Sequence, residues 1–379
     1  MMRAIIYPSS FRAHTTQVYA GLAELAHAGL LGVHVAFGGR ERVPAADNVV
    51  WVELEQPEQP SRARLCFDLS DGHLIRSIDG LEACTAYLKR SYSREYIASL
   101  DERNRSKIIP YGLNYSCISS REPQAMRRVL SHLLINRGRL ASGDLHPLAD
   151  GVKYLASRAG LHGRSTNLIP NFRSLERSAD DPVERRALFV TRVFPVDGKD
   201  RRAAEDRLNL NASRVEIVRT LKRSLGRFFV GGIMDSLFAR RYCPDCLAVF
   251  PTDRTSYLRQ LDRSLIAVTS EGLHRSNGWK LPEYIAAAKC IVTEPLAYEL
   301  PEPLVRGKNL LSFHTPAECV TACETLLDHP DLAQEMRHEN ERYYRAFLRP
   351  DRLVWSCLER ALGLQERITA EPVLSRLPS

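Results

Sequence analysis

The sequence predicts an α/β protein built from two Rossmann-like domains, and three observations support this. The chain has 379 residues, which is too long for one typical hydrophobic core. Short apolar runs alternate with helical patterns in both halves, as in parallel α/β domains. A polar, proline-containing segment, 171–186, lies between the halves and is predicted to be a linker. The expected domains are therefore 1–170 and 187–345, with a C-terminal helix and tail at 346–379.

The individual elements follow from apolar runs and their periodicity. In the first half, strands are predicted at 4–7, 32–37, 49–54, 64–68, 84–88 and 107–110, and helices at 15–28 and 123–135. In the second half, strands are predicted at 187–192, 227–232 and 264–269, and helices at 212–225 and 256–261. A long helical pattern at 341–362 contains Pro350, where a kink is expected.

Composition places the chain among ordinary globular proteins, with 44% hydrophobic and 26% charged residues. No apolar run approaches the ~18 residues of a membrane span, and the apolar run near Met1 is too short for a signal peptide. These features predict a cytoplasmic protein without a transmembrane segment.

The net charge of +8 raises the question of nucleic-acid binding. Only eight of the 53 basic residues are lysine, and the arginines are scattered in pairs such as Arg127-Arg128 and Arg240-Arg241. An anionic small substrate needs only a local basic site, so nucleic acid is the less favoured partner.

Nine cysteines are spread along the chain, and one pair has the spacing Cys243-x-x-Cys246. A zinc site needs two further ligands at matching spacing, and no second such pair exists. We expect buried free thiols and no bound metal.

The segment from Ser276 to Glu294 reads as a polar loop, a short amphipathic helix, a two-residue turn and a buried strand. Asn277 and Gly278 lie where the helix begins, so backbone N–H groups there could face an anion. Lys280 and Glu283 are three residues apart and share a helical face. This combination suits a nucleotide diphosphate, although a solvated surface pair would have the same spacing.

The order Lys280-x-x-Glu283-Tyr284, followed by Lys289-x-Ile291-Val292-x-Glu294, resembles the nucleotide-sugar site of group 1 glycosyltransferases with the GT-B fold. Segments 302–313, 315–320 and 326–332 are similar to later elements of that family. The resemblance covers roughly residues 187–360. It implies two Rossmann-like domains facing a cleft, a C-terminal helix that crosses back to the first domain, and binding of the donor ribose by Glu283.

The resemblance also implies roles for Arg192 and Lys199, since relatives use an arginine and a lysine here to neutralise the leaving diphosphate. The usual Lys-Gly order is reversed at Gly198-Lys199. Retaining members carry a glutamate where this chain has Arg275, and Glu271 offers a carboxylate nearby. The stereochemical outcome therefore stays open. Ala288 replaces the family's glycine before Lys289, which indicates a different turn.

The N-terminal domain is expected to hold the acceptor and a general base. Asp68 and Asp71 follow a strand at its carboxyl end, where α/β proteins bind ligands, and His14 lies after the first strand. Any of the three could deprotonate an acceptor hydroxyl. The alternative is a simple turn, because aspartate, serine and glycine all form turns.

Taken together, the sequence predicts a metal-independent glycosyltransferase without a cofactor, which moves a sugar from a nucleoside-diphosphate sugar to a hydroxyl acceptor. The acceptor could be a glycan, a lipid-linked saccharide or a small molecule. Two alternatives stay open. One is sugar transfer onto a nucleic-acid base, and the other is a non-catalytic scaffold or lectin, as the resemblance to spore-coat glycosyltransferase-like proteins implies.

Overall fold

The computed structural model describes residues 1–7, 13–36, 46–57, 62–121, 169–196 and 201–363, with the side chain of Arg202 left aside. The chain forms two compact units. Unit 1 comprises Met1–Ser174, Glu299–Glu302 and Ala346–Ser379, and unit 2 comprises Leu175–Tyr298 and Pro303–Arg345. Unit 1 is thus assembled from three separate parts of the chain.

Unit 1 is built on a six-stranded sheet with the order β2-β1-β3-β4-β5-β6. Its strands are β1 (Arg3–Tyr7), β2 (Gly32–Val35), β3 (Val49–Glu55), β4 (Ala63–Asp68), β5 (Ala86–Lys89) and β6 (Ile108–Pro110). The sheet is not wholly parallel, because β3 runs antiparallel to both β1 and β4. The short connection 56–62 explains this, since a parallel crossover needs a dozen or more residues.

The helices of unit 1 include α1 (Thr16–His27), α2 (Ile78–Ala83), α3 (Arg94–Ala98) and α4 (Glu102–Arg105). The C-terminal helix, which we call α11 (Pro350–Leu362), packs against α1. The two helices approach closely at Gly21, where an added Cβ would meet the carbonyl of Pro350. The predicted return of the last helix to the first domain is confirmed.

Unit 2 has a five-stranded parallel sheet with the order β11-β10-β9-β7-β8. Its strands are β7 (Glu184–Thr191), β8 (Phe229–Ile233), β9 (Ser264–Thr269), β10 (Cys290–Thr293) and β11 (Leu311–Ser312). Its helices include α5 (Arg201–Leu225), α6 (Leu237–Tyr242), α7 (Arg254–Arg263), α8 (Lys280–Ala286), α9 (Pro316–Asp328) and α10 (Pro330–Tyr343). The predicted fold class, two Rossmann-like α/β units, is confirmed.

Three boundaries differ from the predictions. Helix α5 begins at Arg201 rather than at residue 212, because its first turns are half-exposed and lack an apolar stripe. Strand β7 begins at Glu184, inside the segment predicted as a linker. Pro350 does not kink a continuous helix, since α10 ends at Tyr343, a π-helical segment Tyr344–Leu348 follows, and Pro350 occupies the first turn of α11. The predicted helix at 123–135 lies outside the described residues.

Across the ranges that the structure describes, none of the helices is both long and apolar enough to span a membrane.

Candidate functional site

The carboxyl ends of β7, β9 and β10 lie side by side in the parallel sheet of unit 2, where α/β proteins bind ligands. Arg192 directly follows β7, Glu271 follows β9, and Glu294 follows β10. Arg192 is exposed, and its guanidinium carbon lies 4.7 Å from the centre of the Phe194 ring. The sheet therefore brings one exposed cation and two carboxylates to the same edge.

Arg214 on α5 joins two of these strand ends. It is buried and donates hydrogen bonds to the Arg192 carbonyl (2.8 Å), the Glu271 carbonyl (2.8 Å) and Ser270 Oγ (3.2 Å). Burial, reinforced by Arg192, lowers the pKa of Arg214 to about 10. Glu294 fixes the same loop, because its Oε2 accepts a hydrogen bond of 2.7 Å from the Glu271 N–H.

Lys280, the first residue of α8, contributes a third cation. Its Nζ donates a hydrogen bond to the Val190 carbonyl of β7 and lies 4.9 Å from the centre of the Tyr257 ring. Burial, together with the charges of Arg214, Arg254 and Arg192, lowers the pKa of Lys280 to about 7, against the opposing effect of Glu283. A bound anion would therefore strongly favour the charged ammonium.

Glu283 does not pair with Lys280, although the two share a helix. Its carboxylate forms a bidentate ion pair with Arg254 on α7, with distances of 2.8 and 3.0 Å, and also accepts from Tyr257 Oη at 3.3 Å. The Glu283 side chain is only 5% exposed. This arrangement favours a structural role over the ribose contact that the resemblance implies.

Asn277 and Gly278 precede α8 and differ in their roles: Asn277 forms side-chain hydrogen bonds, and Gly278 adopts an unusual backbone conformation. The Asn277 side chain forms two hydrogen bonds with the backbone of Tyr298. Its Nδ2 donates to the Tyr298 carbonyl oxygen (2.9 Å), and its Oδ1 accepts from the Tyr298 N–H (3.2 Å). Gly278 has a φ of 64°, a conformation that glycine adopts readily. The Asn277 side chain thus fixes the loop. Lys199, the other cation that the resemblance assigned to the diphosphate, lies outside the described residues.

The loop between Glu271 and Asn277 has an unusual backbone, since His274 and Arg275 both have a φ of 58°. Tyr298 holds it through a hydrogen bond from its hydroxyl to the His274 carbonyl. The Glu271 carboxylate faces the Arg275 guanidinium at 3.3 Å. Arg275, at the position where the resemblance leads us to expect a glutamate, therefore pairs with the nearby Glu271.

The end of α8 departs from the sequence-based expectation. Ala288 has a φ of 48°, and the N–H groups of Ala288 and Lys289 bond the carbonyls of Ile285 and Tyr284. This is the left-handed helix end that glycine usually makes. Alanine here has not produced a different turn.

In unit 1, Asp68 is fully buried and its carboxylate is already engaged. It pairs with Lys89 at 2.9 Å and accepts from Tyr87 Oη (2.7 Å), Ser70 and the Arg76 N–H. Burial alone would raise the pKa of Asp68, but Lys89 and these hydrogen bonds hold it below its usual value. This arrangement favours a structural role for Asp68 over that of a general base.

Asp71 and His14 are brought together in the same unit. Their closest atoms, Asp71 Oδ2 and His14 Nε2, are 3.5 Å apart, and Arg90 contacts the other carboxylate oxygen at 2.5 Å. Burial opposes ionisation of Asp71, but His14 and Arg90 outweigh it and hold its pKa well below the usual range. Of the three predicted base candidates, these two form one site.

All nine cysteines are buried free thiols. Burial raises the pKa of both Cys243 and Cys246, to about 11 for the latter, so neither is a reactive thiolate at neutral pH. Among the described residues, no group of three or more histidine, cysteine, aspartate or glutamate side chains is arranged to hold a metal ion.

Sequence reasoning missed Arg214 and Arg254. Arg214 could have been found from the sequence, because its spacing places it on the same helical face as the buried Ile217, Val218 and Leu221. An arginine on an apolar face is rarely buried unless it has a polar partner. The sequence gives no such indication for Arg254, since its partner Glu283 is 29 residues away on another helix.

No protein-family model and no curated protein matches the chain. Among solved structures, it is similar to the C-terminal domain of a group 1 family glycosyl transferase (LpcC) from Francisella tularensis, with 10% identity and a TM-score of 0.32, over 46% of this chain and 91% of that one. It is similar to UDP-GlcNAc 2-epimerase from Neisseria meningitidis bound to UDP-GlcNAc, with 11% identity and a TM-score of 0.36, over 75% of this chain and 63% of that one. It is also similar to Anabaena HepE in complex with UDP, with 9% identity and a TM-score of 0.38, over 79% of this chain and 78% of that one. At such identities and TM-scores, these similarities transfer no residue role to this chain.

Proposed function

We propose that unit 2 binds the diphosphate of a nucleoside-diphosphate sugar and that the protein transfers the sugar to a hydroxyl acceptor. One observation carries the proposal. Arg192, Arg214 and Lys280 converge at the carboxyl ends of parallel strands, and none of them has a carboxylate within 4.0 Å in the part of the chain that the structure describes. Within the described residues these three cations are therefore not held in direct ion pairs, which suits a diphosphate.

The same cations suit the chemistry of transfer. When the bond between the sugar and the diphosphate breaks, negative charge develops on the leaving diphosphate, and fixed cations stabilise it. Arg192 is exposed and can contact phosphate directly, whereas Arg214 holds the Arg192 backbone. Because side chains supply this charge, we propose transfer without a bound metal ion.

We further propose that the His14–Asp71 pair of unit 1 takes the proton from the acceptor hydroxyl. A carboxylate 3.5 Å from an imidazole orients the ring and stabilises the imidazolium that forms when histidine accepts a proton. Arg90 keeps Asp71 ionised for this role. The ribose contact of Glu283 is not retained, because Arg254 already occupies that carboxylate.

Nucleotide binding by calorimetry, with UDP, GDP, ADP and CMP, tests the donor site. We expect one nucleoside diphosphate to bind and its affinity to fall about tenfold or more in Lys280→Ala, because contacts with charged groups contribute about 1.5–3 kcal/mol. Lys308→Ala removes an exposed lysine of the same unit and should bind normally. Absence of binding by the unaltered protein would refute the donor site, and binding without hydrolysis or transfer of any matching nucleotide sugar would favour a non-catalytic role.

A further inference from the structure

Glu283 is the anion of a cluster that also contains the buried Tyr257 and the partly buried Arg254. An ionised carboxylate has about four acceptor positions, and this one uses three, two for Arg254 and one for Tyr257. With 5% of the side chain exposed, little of it can reach a ligand. The 2′ and 3′ hydroxyls of a ribose would have to compete with the bidentate arginine.

The other side of this cluster faces Lys280. The Tyr257 ring contacts two cations, with Lys280 Nζ 4.9 Å and the Arg254 guanidinium carbon 5.6 Å from its centre. The Tyr257 hydroxyl, at the edge of the same ring, is the group bonded to Glu283. The ring therefore lies between the Glu283–Arg254 ion pair and the lysine ammonium.

We propose that Glu283, Arg254 and Tyr257 form a positioning cluster that holds the Lys280 ammonium charged and in place at the end of β7, and that Glu283 acts on the donor only through Lys280. This inference rests on the proposed function of unit 2. It reassigns the glutamate of the Lys-x-x-Glu helix from a ligand of the ribose to a support for the phosphate-binding cation.

The charges around Lys280 explain why it needs this support. Arg192 after β7, Arg214 on α5 and Arg254 on α7 all disfavour its protonation, and Glu283 on its own helix is the group that opposes them. Val190 supplies a neutral carbonyl from β7, and Tyr257 supplies a neutral ring from α7. Removal of the Glu283 charge would leave Lys280 among cations and drive it toward the neutral amine.

The test compares binding of UDP and of inorganic pyrophosphate, which has no ribose, in the unaltered protein and in Glu283→Gln. We expect both ligands to lose affinity by a similar factor, about tenfold at pH 7.5, because both contact Lys280. The loss should shrink at pH 6, where Lys280 regains its proton. Glu184→Gln is the control, since it removes the negative charge of another ion pair in unit 2.

A loss confined to UDP, with pyrophosphate binding unchanged, would show that Glu283 binds the ribose directly and would overturn the inference. Equal affinities of both ligands in Glu283→Gln and in the unaltered protein would overturn it as well. If the unaltered protein binds neither ligand, the proposed function itself fails, which is a different result.

A second measurement does not depend on any ligand. Because the chain has only eight lysines, NMR can follow the titration of Lys280 in protein with labelled lysine, assigned with Lys280→Arg. We expect the midpoint of Lys280 to move to lower pH in Glu283→Gln and to stay in place in Glu184→Gln. An unchanged midpoint in Glu283→Gln, in protein whose unfolding transition stays cooperative, would refute the electrostatic support.

Discussion

Gly21→Ala tests how the C-terminal helix is held in unit 1. Helix α1 lies against α11 at this position, and a Cβ on residue 21 would lie 2.5 Å from Val354 Cγ2 and closer still to the Pro350 carbonyl oxygen. A real Cβ essentially never approaches a neighbour this closely. The valine can rotate, but the carbonyl belongs to the backbone of the first turn of α11 and cannot move alone.

The magnitude follows from two opposing terms. Insertion of a methyl group into a well-packed site costs about 1–3 kcal/mol. Alanine in a helix interior recovers about 0.5–1 kcal/mol relative to glycine. Since two of the three clashing atoms are backbone atoms of Pro350, we expect the cost near its upper value and a net loss of about 2 kcal/mol in the free energy of unfolding of unit 1. For a domain of this size, the Tm should fall by about 4–8 °C.

The assay must report unit 1 alone, because two units need not unfold together. The three tryptophans allow this, since Trp51 and Trp355 lie in unit 1 and Trp279 lies in unit 2. In a Trp279→Phe background, fluorescence during urea unfolding therefore follows unit 1. Gly72→Ala is the control, because a Cβ there meets nothing within 4 Å, and we expect its stability to change little.

The reasoning is refuted if Gly21→Ala unfolds at the same urea concentration as Gly72→Ala. That result would mean that α11 shifts away from α1 at little cost and that Gly21 does not set the spacing of the two helices.

Three further predictions concern charged groups. Asp68→Asn leaves Lys89 buried without its ionised partner and should lower the free energy of unfolding by about 3–5 kcal/mol, measured by urea denaturation with Asp101→Asn, at an exposed carboxylate, as the control. Lys280→Met should weaken diphosphate binding by about tenfold or more yet raise the Tm of the ligand-free protein. The folded pKa of Lys280 is about 7 against 10.5 when unfolded, so the gain should be full below pH 7 and vanish by pH 10.5, and a lower Tm at pH 7 would contradict it. Asp71→Asn should lower the Tm at pH 7, and this effect should shrink progressively as the pH falls from the ordinary aspartate pKa of 3.8 toward the much lower pKa of the folded protein. A Tm difference that does not decrease at all below pH 3.8 would argue against the ion pair with Arg90.

Much of the fold followed from apolar periodicity. Strand β9 spans the same residues, 264–269, in the prediction and in the structure. A short apolar run between polar residues defines both ends of a buried strand. The direction of β3 did not follow, since alternation of side chains is the same in parallel and antiparallel strands. Only the length of the connection to β4 held that information.

The site was predictable in part for a similar reason. The spacing of Lys280 and Glu283 predicted that they lie on one helix. Arg192 could be predicted as a site residue because it directly follows a predicted strand, at the edge of the sheet where ligands bind. Spacing carries no information on which distant residue becomes the partner, so the pairing of Glu283 with Arg254 and the juxtaposition of His14 with Asp71 emerged only from the folded chain.

The three-part composition of unit 1 has a consequence for synthesis. Domains generally begin to fold on the ribosome, N-terminal part first. Unit 1 cannot follow this order to completion, because Glu299–Glu302 follow Leu175–Tyr298 and helix α11 follows all of unit 2. The face of α1 around Gly21 is therefore not covered by α11 at any time during translation of unit 2. A released chain that ends at residue 345 should expose this helix face to chaperones even though all of unit 2 has been made.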